Sequence, residues 1–280
     1  MIAEGADHFR QPGLVERLAR RFSGFPMNPA LRARLKRLYV AALTLGSGGR
    51  GLSASLPGGE AVRVLPEYAH LSWNPDEYRS FRDVVRPGMT ALDIGANVGA
   101  YSLLLGQWVG PAGAVYAFEP SPRVFDGLVR HIELNHLAGV VHPVRAAVGR
   151  TSATLPLVVA GTHGESRLAG ASDAAMPTID VAVTTIDEFC AQHRITPAFI
   201  KVDVEGAELD VLRGARATIR RTLPELRLFV EMHPSVWPLV GVCLQDILAE
   251  LATQSLEAVP LASTPDIWAL EGVCVRLVPR

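Results

Sequence analysis

From Pro87 onward, short apolar runs alternate with stretches in which apolar residues recur every three or four positions. The apolar runs have the length of strands, and the periodic stretches have the spacing of amphipathic helices. The predicted strands are residues 90–94, 114–118, 142–146, 199–202 and 226–231, and the predicted helices are residues 98–108, 123–135 and 205–221. Strands that alternate with amphipathic helices are typical of a mostly parallel sheet with helices on both faces. The pattern therefore predicts an α/β fold.

Two further patterns modify that picture. Alternating stretches at 153–159 and 180–184 predict a small antiparallel addition, and Pro57-Gly58-Gly59 predicts a hairpin over residues 52–66. The chain ends with a predicted helix at 244–251 and two predicted strands at 256–260 and 273–278. Including these last two strands, the main sheet is predicted to have seven strands.

The first 50 residues read differently from the rest. Asn28 is a candidate helix cap, and the glycine-rich run GSGGRG at 46–51 is a candidate linker. Apolar residues recur there at helical spacing: Leu14, Leu18, Phe22, Leu31, Leu35 and Leu38. We therefore predict a helical extension over residues 1–50 and one catalytic-size domain over 51–280. The apolar stripe needs a surface to cover it, so the extension is predicted to be a lid or a homodimer contact.

Composition and charge exclude several classes of protein. The 280 residues are 49% hydrophobic and 20% charged, which rules out a chain disordered throughout. The net charge of -1 argues against a nucleic-acid binder, although the first 50 residues carry nine basic and three acidic side chains. The three cysteines form no CxxC pair, which fits a reducing compartment. With neither a secretory signal nor an apolar run of about 20 residues, we expect a cytoplasmic protein without a membrane span.

The strongest local signal is a glycine turn after the first predicted strand. That strand runs into Asp93, and Gly95 and Gly99 then open a helix. Glycine allows the tight turn, and the free N–H groups of a helix start favour an anionic group. Glu119 follows the second strand, where a carboxylate accepts both hydroxyls of an adenosine ribose. This pattern indicates a nucleoside cofactor.

The spacing of the glycines favours S-adenosylmethionine over a dinucleotide as the cofactor. A dinucleotide fold would need G-x-G-x-x-G to pack backbone against a pyrophosphate, whereas this chain has Gly95 and Gly99 separated by three residues. The acid at Asp93 would repel a pyrophosphate. It suits an amino-bearing ligand such as the methionine part of S-adenosylmethionine.

Four segments resemble one family of methyltransferases. The order is DIGANVG at 93–99, FEP at 118–120, IKVDVEGAE at 200–208 and VEMHP at 230–234. This set is similar to the FkbM-type S-adenosylmethionine-dependent methyltransferases of class I. The resemblance implies a Rossmann-like sheet with a reversed final strand. It also implies methyl transfer to a hydroxyl of a small secondary metabolite, such as a polyketide, a sugar or a carrier-bound intermediate in antibiotic biosynthesis.

The resemblance also assigns residues to the cofactor. The glycine loop and the ribose-binding acid match by position, and a backbone contact near the adenine follows the third strand. The implied cofactor-binding residues are Asp93, Gly95, Ala96, Asn97, Gly99, Glu119, Pro120, Ala147 and Asp203.

Acidic residues and one histidine gather where the fourth and fifth strands end. Asp203 and Glu205 follow one strand, and Glu231 and His233 follow the other. Reactive groups in open parallel sheets lie beyond the carboxyl ends of the strands. His233 is the candidate proton acceptor because an ordinary imidazole is largely neutral at pH 7, and Asp203 and Glu231 are candidates to orient it.

Two other interpretations use the same residues. Asp203 and Glu231 could instead hold Mg²⁺, which prefers carboxylates and would acidify the acceptor hydroxyl. Alternatively, Asp203 caps a helix, and Glu205 and Glu208 stabilise its N-terminus. Lys201 is predicted to face away from the neighbours of Asp203 and to be solvated or ion-paired.

Two other classes of function remain open at this point. A nicotinamide-dependent oxidoreductase shares the sheet but has a different glycine spacing, and no Tyr-x-x-x-Lys pair is present. A non-catalytic nucleoside-binding module would act on a partner through the basic N-terminal helices.

Overall fold

The computed structural model describes residues 28–158, 167–170, 173, 176–261, 267–269 and 271–280. Helix α1 spans Pro29–Gly46, and Asn28 caps it by accepting a hydrogen bond from the N–H of Ala30 at 2.9 Å. The predicted cap is therefore confirmed, while Leu14, Leu18 and Phe22 lie outside the described residues. Three leucines of α1 that were expected to be covered are exposed in this chain: Leu31, Leu35 and Leu38.

The segment between α1 and the main sheet contains a hairpin and a helix. Strands β1 (Leu52–Ser55) and β2 (Ala61–Val64) pair antiparallel, as predicted. A 3₁₀ turn over Pro66–Tyr68 follows, and then helix α2 (Pro75–Arg82). This helix was not predicted, although Asn74 caps it with its side chain.

The main sheet has seven strands, as predicted. They are β3 (Thr90–Ile94), β4 (Ala114–Phe118), β5 (Val141–Val144), β10 (Phe199–Val202), β11 (Arg227–Met232), β12 (Leu256–Pro260) and β13 (Val273–Pro279). Their order is β12-β13-β11-β10-β3-β4-β5, and β13 runs in the direction opposite to the other six strands. The chain continues from β3 to β4 on one side and later returns to β10 on the other. A crevice therefore forms at the carboxyl ends of β3 and β10.

Helices cover both faces of this sheet. They are α3 (Ala100–Val109), α4 (Pro122–Leu134), α5 (Ile186–His193), α6 (Glu208–Arg213), α7 (Arg216–Thr222) and α8 (Leu244–Thr253). One core lies under α2 and α3, and a second lies under α5, α6 and α8. Among the described residues, none of the helices combines the length and the hydropathy needed to cross a membrane.

The helix predicted over 205–221 forms as two separate helices, because the first one ends at Gly214. A Cβ on Gly214 would lie 2.1 Å from the carbonyl oxygen of Gly149. This close approach of two backbones requires glycine and bends the chain between α6 and α7. The contact between residues 65 positions apart could not be read from helical periodicity.

The predicted addition is a second sheet of four strands. It contains β6 (Ala147–Val148), β7 (Ala153–Val158), β8 (Arg167–Leu168) and β9 (Thr178–Thr184), in the order β6-β9-β7-β8. Its β7 pairs antiparallel with both neighbours, and β6 pairs parallel with β9. The strand predicted over 142–146 therefore ends at Val144, and the chain then crosses into this second sheet.

Candidate active site

A cavity of about 250 Å³ lies at the carboxyl ends of the main-sheet strands. Its wall contains the ends of four strands, β3, β4, β10 and β11, through Ile94, Phe118, Asp203 and Glu231 respectively. The second sheet closes the other side. The cavity is therefore at the point where the strand order reverses, which is where open α/β sheets bind ligands.

The glycine turn brings two strand ends into contact. Gly95 has φ +82°, and a Cβ there would lie 1.8 Å from the carbonyl oxygen of Asp203. The N–H groups of Gly95 and Ala96 both donate to the carbonyl of Phe118, at 3.0 and 2.8 Å. The turn thus fixes the ends of β3, β4 and β10 relative to one another, and only glycine fits at position 95.

Glu119 is held at the cavity by backbone donors. Its Oε2 accepts from the N–H of Asn97 at 3.1 Å, and its Oε1 accepts from the N–H of Ser121 at 2.8 Å. Burial raises the pKa of Glu119 to about 7, in spite of these hydrogen bonds. The carboxylate is therefore rigidly placed on the wall where the sequence predicts a ribose.

Most of the predicted cofactor residues line the cavity. Those on its wall are Gly95, Asn97, Glu119, Pro120, Ala147 and Asp203, whereas Asp93, Ala96 and Gly99 are not part of the wall. Asp93 is buried, and its Oδ2 accepts from the hydroxyl of Ser102 at 2.5 Å. Its Oδ1 has no hydrogen-bond partner among the described residues. In this structure Asp93 thus secures the start of α3 and does not line the cavity.

A buried carboxylate orients His233. The Nδ1–H of His233 donates to Oε1 of Glu208 at 2.7 Å, and the indole N–H of Trp237 donates to the other oxygen at 3.0 Å. Glu208 is fully buried. The sequence assigned the orienting role to Asp203 and Glu231 and placed Glu208 at a helix N-terminus. Glu208 is indeed the first residue of α6, but its side chain points inward to His233.

The second ring nitrogen of His233 faces two carboxylates. Its Nε2 lies 3.8 Å from Oδ1 of Asp203 and 3.7 Å from Oε1 of Glu231, beyond hydrogen-bonding distance. All three residues line the cavity. The structure therefore brings the three predicted catalytic residues together, with Nε2 free of a close partner among the described residues.

The charge of His233 differs from the expectation. Burial disfavours its charged form, but the hydrogen bond and the charge of Glu208 outweigh burial and raise the pKa to about 9. The expectation that His233 is largely neutral at pH 7 is therefore wrong for the protein alone. Burial, followed by the charge of Asp203, raises the pKa of Glu231 to about 8. At neutral pH the acceptor side of the cavity thus carries more protons than the sequence suggested.

Lys201 lies beside Asp203, and the prediction that it faces away is wrong. Its Nζ is 2.7 Å from Oδ2 of Asp203, and its side chain is 3% exposed. Positions 201 and 203 are two apart in an extended segment, so their side chains share one face. Burial opposes the ammonium charge, but Asp203 and the nearby carboxylates raise the pKa of Lys201 above its usual range.

These contacts do not fit a resident Mg²⁺. Asp203, Glu231 and His233 each offer one atom within 4.8 Å of the others, which is the spacing of a candidate metal site. The Lys201 ammonium, however, already binds one oxygen of Asp203. The prediction of a metal held by Asp203 and Glu231 is therefore not supported by the geometry.

An arginine of the second sheet completes the wall. Arg167 in β8 lines the cavity, and it makes two hydrogen bonds of 2.5 Å to the carboxylate oxygens of Asp173. This bidentate pair holds the guanidinium in one orientation. The sequence did not single out Arg167, because β8 has only two residues and gives no periodic signal.

The sequence of this chain is similar to that of a known protein family. A family model described as the methyltransferase FkbM domain matches residues 93–256, which is more than half of the chain. The chain belongs to the FkbM methyltransferase family. It is accordingly an S-adenosylmethionine-dependent methyltransferase with the Rossmann-like fold that its resemblance implied.

Two curated relatives and one solved structure illustrate the range of likeness. The hexuronic acid methyltransferase AglP of Haloferax volcanii is 26% identical over 193 residues, which cover 64% of this chain and 74% of that protein. The methyltransferase sdnD of Sordaria araneosa is 28% identical over 155 residues, covering 44% and 59%. A SAM-dependent methyltransferase from Aquifex aeolicus aligns at 13% identity and TM-score 0.40, covering 73% of this chain and 89% of that one.

The sequence analysis of this FkbM-family enzyme did not recognise the roles of Glu208 and Lys201. Each of these residues nevertheless stands in a sequence context that indicates a buried charge. The sequence placed Glu208 at a helix N-terminus, but its spacing of three and four residues from the buried Val211 and Leu212 is typical of the buried face of a helix. Lys201 stands in β10, whose four residues are all buried. A charged residue on the apolar face of a helix or inside a central strand requires a partner. That rule predicts buried partners for both side chains.

Proposed function

We propose that this methyltransferase acts on a hydroxyl oxygen of a small metabolite, such as a polyketide, a sugar or a carrier-bound intermediate. The observation that supports this proposal is the pair formed by His233 and Glu208. The pair directs Nδ1 to a buried carboxylate and leaves Nε2 at the cavity, beside Asp203 and Glu231. This arrangement suits the removal of a proton from an acceptor hydroxyl.

The cofactor would be held by the residues at the ends of β3 and β4. Glu119 is placed to accept the ribose hydroxyls, Gly95 and Asn97 present their backbone to the ligand, and Ala147 offers a contact near the base. Asp203, with Oδ1 at the cavity, would face the cationic end of the ligand. When bound, S-adenosylmethionine supplies an electrophilic methyl group.

The chain's own residues would then handle the proton. His233 accepts the hydroxyl proton on Nε2 when the ring is neutral, and Glu208 stabilises the imidazolium that forms. Because the pKa of His233 is raised to about 9, the neutral fraction increases as pH rises toward that value. Methyl transfer to a hydroxyl should therefore speed up with pH over this range.

A second candidate function is methyl transfer to a carboxylate. Arg167 offers a guanidinium at the cavity wall, and the relative AglP is named for a hexuronic acid, which has both hydroxyl and carboxylate oxygens. A carboxylate acceptor carries no proton to remove. With that acceptor, His233 would act as a hydrogen-bond donor, and transfer would not depend on its neutral form.

One experiment tests the proposal and separates the two candidates. Calorimetric titration with S-adenosylmethionine and S-adenosylhomocysteine should show binding at a single site. Label transfer from methyl-labelled cofactor is then measured on a panel that pairs each sugar with its uronic acid. Label on the neutral sugar is the expected result. Label confined to the uronic acids, as an alkali-labile ester, would replace the hydroxyl proposal by the carboxylate one, and no cofactor binding would overturn both.

Residues 1–50 are proposed to be an extension separate from the catalytic unit over 51–280. Helix α1 contributes no residue to the cavity wall and contacts the 3₁₀ turn at Pro66–Tyr68. Its exposed leucines suit a contact with a second copy of the chain better than a lid. We propose a homodimer on this basis.

A further inference from the structure

A buried ammonium lies behind the acceptor side of the cavity. Lys201 stands in the middle of β10, and its Nζ donates to Oδ2 of Asp203 at 2.7 Å. The same Nζ lies 5.0 Å from the centre of the Tyr101 ring, which covers it on another side. A buried lysine is costly unless it is paired, so this position must compensate its charge.

Several carboxyl groups surround this ammonium. Asp93 is the register partner of Lys201 on β3, and Glu77 of α2 is buried nearby. Asp203 and Glu231 complete the group, and the charges of all four act on Lys201. Four carboxyl groups from four elements of the fold therefore share one permanent cation. Without it, the closely spaced acids would repel one another and would attract a cation from solution.

We propose that Lys201 is a positioning residue whose ammonium takes the place of a divalent cation among the carboxylates of the acceptor site, so that methyl transfer needs no metal. The part concerning methyl transfer rests on the function proposed above, while the part concerning cations rests only on the contacts of Lys201. The ammonium binds Oδ2 of Asp203 from behind and leaves Oδ1 toward His233 and the cavity. It fixes the carboxylate without occupying the space that cofactor and acceptor would share.

The proposal predicts that removing the ammonium creates a metal site. In Lys201→Met the apolar stem remains but the charge is lost, so Asp203 and Glu231 face each other without a resident cation. Mn²⁺ is a suitable probe because it prefers oxygen ligands and its electron paramagnetic resonance signal decreases on binding. Lys201→Gln is a second variant, in which an amide can still donate to Asp203 but carries no charge.

A matched control is available elsewhere in the chain. Arg216 pairs with the buried carboxylate of Glu250 at 2.5 Å, on α7 and α8, outside the cavity wall. Arg216→Met therefore also removes a cation from a buried acid, and Arg213 remains 3.5 Å from the same carboxylate. It should leave Mn²⁺ binding and methyl transfer as they are in the wild-type protein.

The measurements are made on the full chain, with and without S-adenosylhomocysteine. We expect no saturable Mn²⁺ binding by the wild type or by Arg216→Met, and saturable binding by Lys201→Met and Lys201→Gln at concentrations at least about tenfold below the highest that leaves the wild type unbound. Wild-type methyl transfer should be unchanged after exhaustive chelation. Saturable Mn²⁺ binding by the wild type, or loss of its transfer activity on chelation with recovery by Mg²⁺, would overturn the proposal.

These outcomes separate the inference from the function on which part of it rests. Failure of the wild type to bind cofactor or to transfer a methyl group would remove the proposed function. The Mn²⁺ comparison would still be decisive, because it uses neither cofactor nor acceptor. Should both Lys201 variants fail to fold, the wild-type Mn²⁺ titration still decides, since saturable binding there contradicts an ammonium in the place of the metal.

Discussion

The two halves of the cavity are built in different ways. At the ends of β3 and β4, the backbone places the polar groups: Glu119 accepts two N–H groups, and Gly95 brings one strand end against another. At the ends of β10 and β11, side chains place one another: Glu208 orients His233, and Lys201 fixes Asp203. The first half is positioned by backbone contacts, and the second is a network of charged side chains.

This difference suggests that the two halves fail separately. A change in the first half should weaken cofactor binding and leave the proton chemistry intact, because backbone contacts hold its geometry. A change at His233 or Glu208 in the second half should alter the rate or its pH dependence and leave cofactor binding nearly unchanged. The following predictions test that separation.

The largest effect is expected from His233→Ala. Loss of a general base typically slows a reaction by about 10²–10⁴-fold. Single-turnover transfer should slow by that order, while calorimetry with S-adenosylhomocysteine should show little change in affinity. A rate equal to that of the wild type would remove His233 from the proton transfer and would favour the carboxylate acceptor.

Glu119→Gln should act on the other half. A hydrogen bond to a charged group contributes about 1.5–3 kcal/mol, so cofactor affinity should fall roughly 10–100-fold, with kcat at saturating cofactor close to normal. Titration with S-adenosylhomocysteine measures the affinity, and methyl transfer at high cofactor concentration measures kcat. Glu67→Gln is the control, because Glu67 pairs with Arg130 on the surface. A loss of kcat equal to that in His233→Ala would contradict the separation.

Cofactor affinity should also depend on pH. The pKa of Glu119 is raised to about 7, so its ionised, ribose-binding form grows as pH rises through that value. Binding should tighten between about pH 6 and 8 in the wild type, and this trend should be absent in Glu119→Gln. Affinity that is flat with pH in both proteins would argue against ionised Glu119 as the ribose acceptor.

Glu208→Gln should move a pKa. Without the carboxylate, burial is opposed only by the charges of Asp203 and Glu231, so the pKa of His233 should fall from about 9 toward its ordinary value of about 6.5. Proton NMR titration of the ring gives the pKa, and the rising limb of kcat/KM should shift to lower pH with it. Trp237→Phe is the control, because it removes the other donor to Glu208 and keeps the contact with His233. An unchanged His233 pKa in Glu208→Gln would contradict the conclusion that Glu208 raises it.

The same pair makes folding stability depend on pH. His233 has a higher pKa in the folded than in the unfolded chain, so its stabilising contribution is complete below about pH 6.5 and is lost as pH rises through about 9. Urea unfolding at pH 6.5 and 9 should differ by roughly 1–3 kcal/mol. The raised pKa of Glu231 adds to this in the same direction. Glu208→Gln should flatten most of the difference, and a difference as large as in the wild type would contradict this account.

The smallest effect on the cavity is expected from deleting residues 1–50. None of the cavity-lining residues comes from the part of this segment that the structure describes, residues 28–50, so cofactor affinity should stay within about twofold. The mass in solution should fall from dimer to monomer if the exposed leucines of α1 form the contact. An unchanged mass would remove the homodimer proposal for this segment.

The main sheet and the glycine turn were readable because their signals are local. The strands at 90–94, 114–118 and 199–202 were predicted with the bounds that the structure has, since an apolar run between turn residues defines a buried strand. Gly95, Asn97 and Glu119 were placed at the cavity for a similar reason, because a strand, a tight turn and a helix follow one another directly. Helix α2 and strand β8 were missed because one is short and polar and the other has two residues.

By itself the sequence determined which residues gather at one edge of the sheet, because strand order and chain direction bring Asp203, Glu231 and His233 to the same end. Only the tertiary structure decided their charges and partners. The proton on His233 depends on Glu208, and the carboxylate of Asp203 depends on Lys201, and neither partner was identified from the sequence. Electrostatic free energies depend on distance and burial in three dimensions, and spacing along the chain specifies neither.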